Sequence, residues 1–418
     1  MKKISLKQLF AINFYWLGLS FMWNSLHPIV LPAVLLHLVP DEMKNSYLGV
    51  LSFIGLILAM IIQPISGAAS DGWRSRWGRR RPLAFIGTLL DFVFLALLAW
   101  SGSLLVVVIG YIGLQIVSNI AHGPMQGLIP DLVPEKQMGA ASGLKNLMDM
   151  GGLIVASLAA GNLLSPDARY PTAIMLVVML VLALSAAVTF LTTHEHPTSD
   201  QAKNSNQVDI RNVFKLELKT NRNFIWLIAS RFIFLFGIYG VQTFAQYFIR
   251  DVIQAPNPVK ATGDLMAALA LALVACSVLG GWLTDRFGAR PVLVLASGLA
   301  ALGSFLLMGA RDLATMTAYA GILGAGIGFY LTSNWALASR LAPKEQAGKF
   351  LGLTNLATAG ASALSKLAGV PIDLANNAQP GRFLGYTGLF MLGGAAALLS
   401  LLLLVKVEEN PKAAIRQG

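Results

Sequence analysis

The stretch Gly67–Pro82, GAASDGWRSRWGRRRP, holds five arginines between two long apolar runs. A shorter relative, GWLTDRFGARP, occupies Gly281–Pro291. Each copy has a glycine, an aspartate four residues later, basic residues, and then an Arg-Pro pair that opens the next apolar run. Two copies of one loop in a single chain predict a duplicated membrane protein.

The composition also favours a membrane environment. Of the 418 residues, 56% are hydrophobic and only 12% are charged, whereas soluble domains carry about 25% charged residues. The net charge of +11 would suit nucleic acid. Most of that charge falls in a few loops between apolar runs, so we expect a lipid bilayer as partner and no nucleic acid. The single Cys276 excludes an internal disulfide.

Twelve apolar runs are long enough to cross a bilayer, which takes about 20 residues. The first continues to about Leu38, so we interpret it as a span and not as a cleaved leader. The predicted spans are 8–38, 46–69, 82–101, 103–128, 137–163, 171–192, 224–250, 261–284, 291–310, 313–338, 346–371 and 383–405.

One long polar segment divides these runs into two sets of six. The predicted domains are an N-terminal six-helix half at 1–192, a cytoplasmic linker at 193–223, and a C-terminal six-helix half with a short cytoplasmic tail at 224–418. Most of the 31 Lys and Arg residues lie in loops on the side of both termini. This bias predicts a multi-pass protein of the inner membrane with both termini in the cytoplasm.

The two halves repeat each other in sequence. A shift of 209 residues brings Pro82 onto Pro291, and Asn146 onto Asn355. Parallel six-span repeats of this kind resemble the major facilitator superfamily, and the quoted loops resemble its signature loop. The resemblance implies an all-α membrane fold with about twelve transmembrane helices in two pseudo-symmetric halves.

The repeated loops are candidates for gating. An aspartate at the end of a span can pair with a loop arginine in one conformation and release it in another, which makes a latch. The alternative is that the arginines only set the topology. The candidate gating residues are Gly67, Asp71, Arg79, Arg80, Arg81, Gly281, Asp285 and Arg286.

In the fold that this resemblance implies, the first, fourth, seventh and tenth spans line a central cavity. Polar residues recur at helical spacing on these four spans, and Arg231 is among them. Amides, histidines and Trp faces suit a neutral polyhydroxylated ligand, although they also serve as glue between membrane helices. The candidate substrate-binding residues, with one from span eleven, are Trp16, Asn24, His27, Gln115, Asn119, His122, Gln126, Gln242, Gln246, Asn334 and Lys366.

Ionisable residues within spans are costly and therefore need a partner. Lys145 and Asp149 are four residues apart and can pair on one helix face. The pair is either a structural ion pair or a protonation switch. Asp91 is a proton carrier or a neutral acid bonded to a neighbouring helix. Lys366 is a substrate donor or counter-ion. We take Asp91, Lys145 and Asp149 as the candidate coupling residues; His27 and His122 are hydrogen-bonding groups or proton carriers.

Two stretches carry a closer resemblance. Ser70-Asp71 with the run 76–82, and Gly123-Pro124 with Asp131-Leu132, resemble plant sucrose–proton symporters and related animal sugar transporters, and more distantly the glycoside–pentoside–hexuronide cation symporters. This resemblance implies proton-linked uptake of a disaccharide or other glycoside. Sucrose symporters carry an acid eight residues before the Gly-Pro pair, where this chain has Gln115, so coupling has moved to Asp149 or Asp91, or the protein is a uniporter.

We therefore expect a secondary active transporter of a sugar or glycoside, working by alternating access with the proton as coupling ion. The alternatives are a uniporter, an exporter of drugs or a small apolar metabolite, and a non-transporting membrane receptor or assembly factor. No nucleophile–base pairing, metal-ligand spacing or phosphate-cradling loop is evident, so we expect no enzyme, no cofactor and no metal. We expect a monomer.

Overall fold

A computed structural model of the protein describes residues 3–193, 195, 221–342 and 347–407. The first six long helices follow the first six predicted spans. They are α1 (Leu6–Leu36), α2 (Lys44–Asp71), α3 (Arg81–Ala99), α4 (Leu104–Leu132), α5 (Met138–Leu163) and α6 (Thr172–Thr192). A π-helical turn at Leu26–Val30 interrupts α1.

Six further long helices follow the polar segment. They are α7 (Arg222–Thr243), α8 (Pro258–Phe287), α9 (Ala289–Leu307), α10 (Leu313–Leu341), α11 (Ala347–Lys366) and α12 (Leu384–Leu404). Short helical segments extend α7 at Ala245–Phe248 and Ile249–Ile253, and follow α11 at Gly369–Ala378. The described ranges contain no strand, and the all-α prediction is confirmed.

Ten of these helices, judged within the described residues, are long and apolar enough to cross a membrane. The other two, α5 and α11, have 26 and 20 residues. At about 1.5 Å per residue both reach the roughly 30 Å of a hydrocarbon core. Their sequences mix Gly, Ser, Thr and Asn with the apolar residues, and they contain three of the predicted intramembrane charges. The chain is an integral multi-pass membrane protein.

Contacts between Cα atoms group the chain into two compact units. The first comprises Met1–Ser205, Thr243–Ala267 and Gly369–Asp373, and the second comprises Asn206–Gln242, Ala268–Ala368 and Leu374–Gly418. The predicted domain boundaries stay a prediction, because nearly all of the proposed linker at 193–223 lies outside the described residues. Most of the proposed C-terminal tail does so too.

Positions related by the 209-residue shift cap the same helix in the two units. Ser103 caps the start of α4 by accepting a hydrogen bond from the Val106 backbone N–H at 3.4 Å. The residue 209 positions later, Asp312, caps α10 by accepting from the Thr315 N–H at 2.9 Å. Ser and Asp are preferred caps because their oxygens satisfy an unpaired backbone donor of the first turn.

Packing within each unit follows the same helix pairs. In the first unit α3 contacts α4 and α6, and in the second α9 contacts α10 and α12. Gly87 on α3 lets the backbone of α4 approach, since a Cβ there would lie 2.7 Å from the Ala121 nitrogen. In the second unit the glycine is on the opposite helix: a Cβ on Gly326 of α10 would lie 2.7 Å from the Ala300 nitrogen of α9. Small residues at such crossings are typical of membrane bundles.

Candidate functional site

The π-helical turn of α1 presents His27 to α4. The Nε2 atom of His27 lies 3.0 Å from the Tyr111 hydroxyl, and its ring stacks on Trp23 with centroids 4.9 Å apart. Gln115 donates to the same hydroxyl at 2.8 Å and lies 3.3 Å from His27 Nε2. The structure therefore brings the predicted residues His27 and Gln115 together through Tyr111.

Gln246 supports this turn from the segment that follows α7. When its amide is oriented with nitrogen as donor, it donates to the Ile29 and Pro28 carbonyls at 3.0 and 3.1 Å. A π-turn and a proline both leave backbone carbonyls without their usual helical donors. Gln246 is buried and satisfies these carbonyls, while the nearby Gln242 is half-buried at the end of α7.

Two other predicted amides bond within their own helices. Asn119 donates to the Gln115 carbonyl at 2.7 Å, and Asn24 donates to the Ser20 carbonyl at 2.8 Å. These bonds to the carbonyl four residues earlier hold the side chains against the helix.

A second cluster surrounds Trp16 on α1. Lys145 pairs with Asp149 at 2.7 Å, and its ammonium lies 4.0 Å from the centroid of the Trp16 ring. The edge of that ring meets His122 at a centroid distance of 5.1 Å. Gln126 lies 3.3 Å from His122 Nε2. Five predicted residues from three helices thus form one cluster, with the charge pair over an aromatic face.

In the second unit Arg231 joins three helices. Its Nε donates to Thr358 Oγ1 of α11, and its Nη1 donates to Asn334 Oδ1 of α10, both at 2.8 Å. Arg231 is only 6% exposed. Sequence reasoning placed Asn334 among the candidate ligands and Arg231 among the polar residues of the cavity-lining spans, but it did not connect either of them with Thr358. Lys366, the last residue of α11, is half-buried.

Asp91 lies buried on α3. Neither of its carboxyl oxygens accepts a hydrogen bond from the described residues. One turn earlier on the same helix, Thr88 contacts the Tyr15 hydroxyl at 2.8 Å. Since a buried carboxylate without donors is costly, the arrangement suits a protonated acid.

The first arginine loop forms a network around Arg80. Its guanidinium bonds Asp71 at 2.5 Å and Ser70 at 2.7 Å, both at the end of α2. The same group bonds Asp131 at the end of α4 at 2.9 Å. Arg79 forms a second pair with Asp131 at 2.5 Å. These bonds link the ends of two helices through one loop.

Further contacts connect the same loop to α6 and to Glu195, which follows α6. The Arg81 guanidinium donates to the Phe190 carbonyl of α6. The Glu195 carboxylate accepts from the backbone nitrogens of Arg80 and Arg81, at 3.0 and 3.1 Å, where α3 begins. Burial raises the pKa of Glu195, and the hydrogen bond to Asp131 raises the pKa of Arg79. Gly67 packs near the Gly123 backbone.

The second loop is simpler. Asp285 lies 3.9 Å from Arg340 at the end of α10, and the two side chains are 83% and 48% exposed. Arg286 lies over the Trp282 and Phe287 rings. A Cβ on Gly281 would meet only a Thr332 methyl carbon, at 3.7 Å.

Sequence reasoning missed three parts of the first network: Asp131, Glu195, and Gly127, where a Cβ would lie 2.5 Å from the Arg80 Cζ. Asp131 stood within a stretch that resembled sugar symporters, so that resemblance could have identified it. Glu195 gave no such signal, because its bonds to backbone nitrogens depend only on where the chain runs.

Several characterised proteins resemble parts of the chain. Mouse solute carrier family 45 member 3 is 27% identical over 162 residues, covering 35% of this chain and 29% of the relative. The Bacillus subtilis multidrug transporter protein MdtP is 26% identical over 123 residues, covering 28% and 22%. The rice (Oryza sativa subsp. indica) sucrose transport protein SUT4 is 27% identical over 132 residues, covering 26% and 22%. The chain thus matches under a third of the length of each relative.

The fold comparison extends over nearly the whole chain. The crystal structure of the nucleoside transporter NupG superposes with a TM-score of 0.71 at 14% identity, covering 96% of this chain and 99% of that one. The sequence profile of the Major Facilitator Superfamily matches residues 8–365. With its all-helical fold and its repeated loops, the chain belongs to the major facilitator superfamily.

Proposed function

We propose that the protein is a secondary active transporter of a sugar or glycoside of disaccharide size, which it carries by alternating access in symport with protons. The observation that carries this proposal is the group formed by Trp23, His27, Tyr111 and Gln115. Paired neutral donors and acceptors beside an aromatic face match a sugar, whose hydroxyls need hydrogen bonds and whose ring offers an apolar face. Similarity to a sucrose transport protein supports the same class.

The proposed coupling residues are Asp149 with Lys145, and Asp91. The Lys145 and Asp149 side chains are 30% and 26% exposed, so protons can reach the pair. Protonation of Asp149 would break the ion pair and leave Lys145 over Trp16. We propose Asp91 as a second proton-binding position, because none of the described residues donates a hydrogen bond to it.

The proposed substrate contacts are the candidate residues of α1, α4, α7 and α10, with Gln246 and Lys366, and the proposed gates are the two arginine loops. We further propose a monomer in the inner membrane with both termini in the cytoplasm. The basic residues concentrated in the loops on that side support this orientation.

Uptake of labelled sucrose and maltose into proteoliposomes, with and without an inward proton gradient, tests the function. We expect the gradient to drive accumulation of at least one sugar. Asp149→Asn should abolish accumulation and keep exchange. Asp264→Asn is the matched control, because Lys260–Asp264 is also a Lys–Asp pair at i,i+4 spacing but is 48% and 51% exposed. Equilibration without accumulation in the parent protein would mean a uniporter.

A second candidate is an exporter of drugs or a small apolar metabolite, which the similarity to the multidrug transporter protein MdtP favours. An exporter of lipophilic cations needs an acidic, aromatic pocket. The group around Trp23 and His27 instead offers an amide, a histidine and a hydroxyl, and Asp149, the acid of the Trp16 cluster, is paired with Lys145. Absence of flux for both sugars, with ethidium efflux from the same vesicles, would favour the exporter.

A further inference from the structure

Arg231 differs from Lys44 and Arg80, the other basic residues that are buried within the described ranges. Lys44 has a carboxylate partner in Asp251 at 2.7 Å, and Arg80 has one in Asp131 at 2.9 Å. Arg231 is 6% exposed, and no described carboxylate lies within ion-pair distance of it. Its two hydrogen-bond partners, Thr358 and Asn334, are neutral.

The surrounding helices offer no counter-charge. The sequences of α7, α9, α10, α11 and α12 contain no Asp or Glu. On α8, Asp264 pairs with Lys260, and Asp285 near the end of the helix is 83% exposed. A buried charge without an opposite one is costly, so Arg231 needs a counter-charge that these helices do not supply.

The neutral partners leave the guanidinium able to bind a ligand. An arginine has five N–H donors, and the described bonds use Nε and one donor of Nη1. Nη2 makes no hydrogen bond to a described residue, so its two N–H groups remain available to a ligand. Asn334 and Thr358 fix the plane of the guanidinium. A guanidinium held in this way matches a carboxylate, whose oxygens accept charge-assisted hydrogen bonds from its N–H groups.

We propose that Arg231 is an anion-recognising residue and that the transported substrate is a glycoside carrying one carboxylate, such as an aldobionic acid. This inference rests on the proposed sugar transport and narrows its substrate class. The substrate carboxylate supplies the counter-charge that the described residues around Arg231 lack. A neutral sugar of the same size binds more weakly, because it leaves the guanidinium without an opposite charge.

Maltobionate and maltitol provide a matched pair of probes, since they differ only in a carboxylate against a hydroxymethyl group at one end. We expect the purified protein to bind maltobionate at least ten-fold more tightly than maltitol in calorimetric titration. Arg231→Gln should remove this preference. Asn334→Asp should also remove it, because it keeps the guanidinium and the shape of the site but places a carboxylate 2.8 Å from Nη1. The exposed loop residue Arg311 supplies the control, Arg311→Gln, which should keep the preference.

The outcomes separate this inference from the proposed function. Equal binding of both probes by the parent protein would overturn the role of Arg231 and leave sugar transport standing. An unchanged preference in Asn334→Asp, with thermal unfolding like that of the parent, would also overturn it. Binding of neither probe, together with maltose uptake in proteoliposomes, would overturn the carboxylate class alone. Binding of neither probe and no uptake of sucrose or maltose would overturn both.

Discussion

The ion pairs that connect the helix ends differ between the two copies of the arginine loop. In the first, Arg80 joins Asp71 to Asp131. In the second, Asp285 faces Arg340 without an intermediary. The shift of 209 residues, which aligns Pro82 with Pro291, explains the change. It puts Ala289 at the place of Arg80, Ala336 at the place of Gly127, and Arg340 at the place of Asp131.

Three differences therefore belong together. A Cβ on Gly127 would lie 2.5 Å from the Arg80 Cζ, so an alanine fits that position only where the arginine is absent. With no arginine at 289, the positive charge stands on α10, where it reaches Asp285. In both halves an acid at the end of the second helix pairs with a base. What differs is the segment that supplies the base: the loop before α3 in the first half, and α10 in the second.

Other parts of the loops have not changed. Arg81 donates to the Phe190 carbonyl of α6, and its equivalent Arg290 donates to the Val405 carbonyl just after α12. Each loop also contains a glycine in the left-handed region, with φ of 98° at Gly78 and 89° at Gly288. Gly78 precedes α3, which begins at Arg81, and Gly288 precedes α9, which contains Arg290. The chain therefore enters both helices in a similar way.

The largest effect should come from Arg80→Ala. It removes a nearly buried guanidinium that bonds Asp71, Asp131 and Ser70, so we expect a loss of about 3 kcal/mol in the free energy of unfolding and at least a ten-fold loss of transport. Unfolding in mixed micelles and sugar uptake measure the two effects. Arg76→Ala is the control from the same loop, since Arg76 is exposed and lies over Trp77. Equal effects of the two variants would contradict the network.

Gly127→Ala should give the next largest effect, about 1–2 kcal/mol of destabilisation, because the new methyl group displaces the Arg80 guanidinium from its partners. In the Arg80→Ala background the same substitution should cost almost nothing, as the alanine pair at 289 and 336 suggests. A double-mutant cycle measures this coupling. Gly143→Ala is the matched control, since a Cβ there meets nothing within 4 Å. If the free-energy changes of Arg80→Ala and Gly127→Ala simply add in the double variant, the proposed coupling between positions 80 and 127 is wrong.

Asp285→Asn should have a small effect, about 0.5 kcal/mol or less, because an exposed ion pair contributes little. The Asp285 side chain is 83% exposed and its oxygen lies 3.9 Å from Arg340. The difference from the parent protein should shrink further in roughly 1 M salt, where screening removes exposed charge interactions. Thermal unfolding at two salt concentrations tests this. A cost as large as that of Arg80→Ala would show that the two loops are energetically equivalent.

The smallest effect concerns pH and Glu195. Burial raises the pKa of its carboxyl in the folded protein. Protonation of Glu195 therefore stabilises the folded state fully below the unfolded pKa of about 4.3. This stabilisation is lost as the pH rises through the folded pKa. As the pH falls from about 7 towards the unfolded pKa, the parent should therefore gain stability relative to Glu195→Gln, by about 0.3 kcal/mol or less. Melting curves of both proteins across this range provide the measurement. Parallel pH profiles would show that Glu195 is not buried against the loop.

Sequence reasoning reached the fold because the deciding features are local or repeated. Twelve apolar runs, two related loops and one constant shift define the helices and the family. The Lys145–Asp149 pair was equally accessible, since residues four apart share a helix face. No pattern along the chain pairs Arg231 with Asn334 and Thr358, because they lie on three different helices.

Backbone irregularities were also hidden from the sequence. Pro28 indicates a disturbed helix, but it does not predict that a π-helical turn presents His27 to Tyr111 or that Gln246 satisfies the carbonyls of that turn. The same holds for Gly127, whose missing side chain makes room for Arg80. These features arise from packing between distant segments, where a difference of one methyl group decides the arrangement.

Counterflow is the most direct test of the central claim, that this chain carries a sugar by alternating access. Proteoliposomes loaded with unlabelled maltose, and a parallel set loaded with maltobionate, are diluted into a trace of the same labelled compound without a proton gradient. The account predicts that label accumulates transiently above its equilibrium level for at least one compound, and that Arg80→Ala reduces this overshoot. Label that never exceeds the level in protein-free liposomes, with folded protein in the membrane, would contradict it.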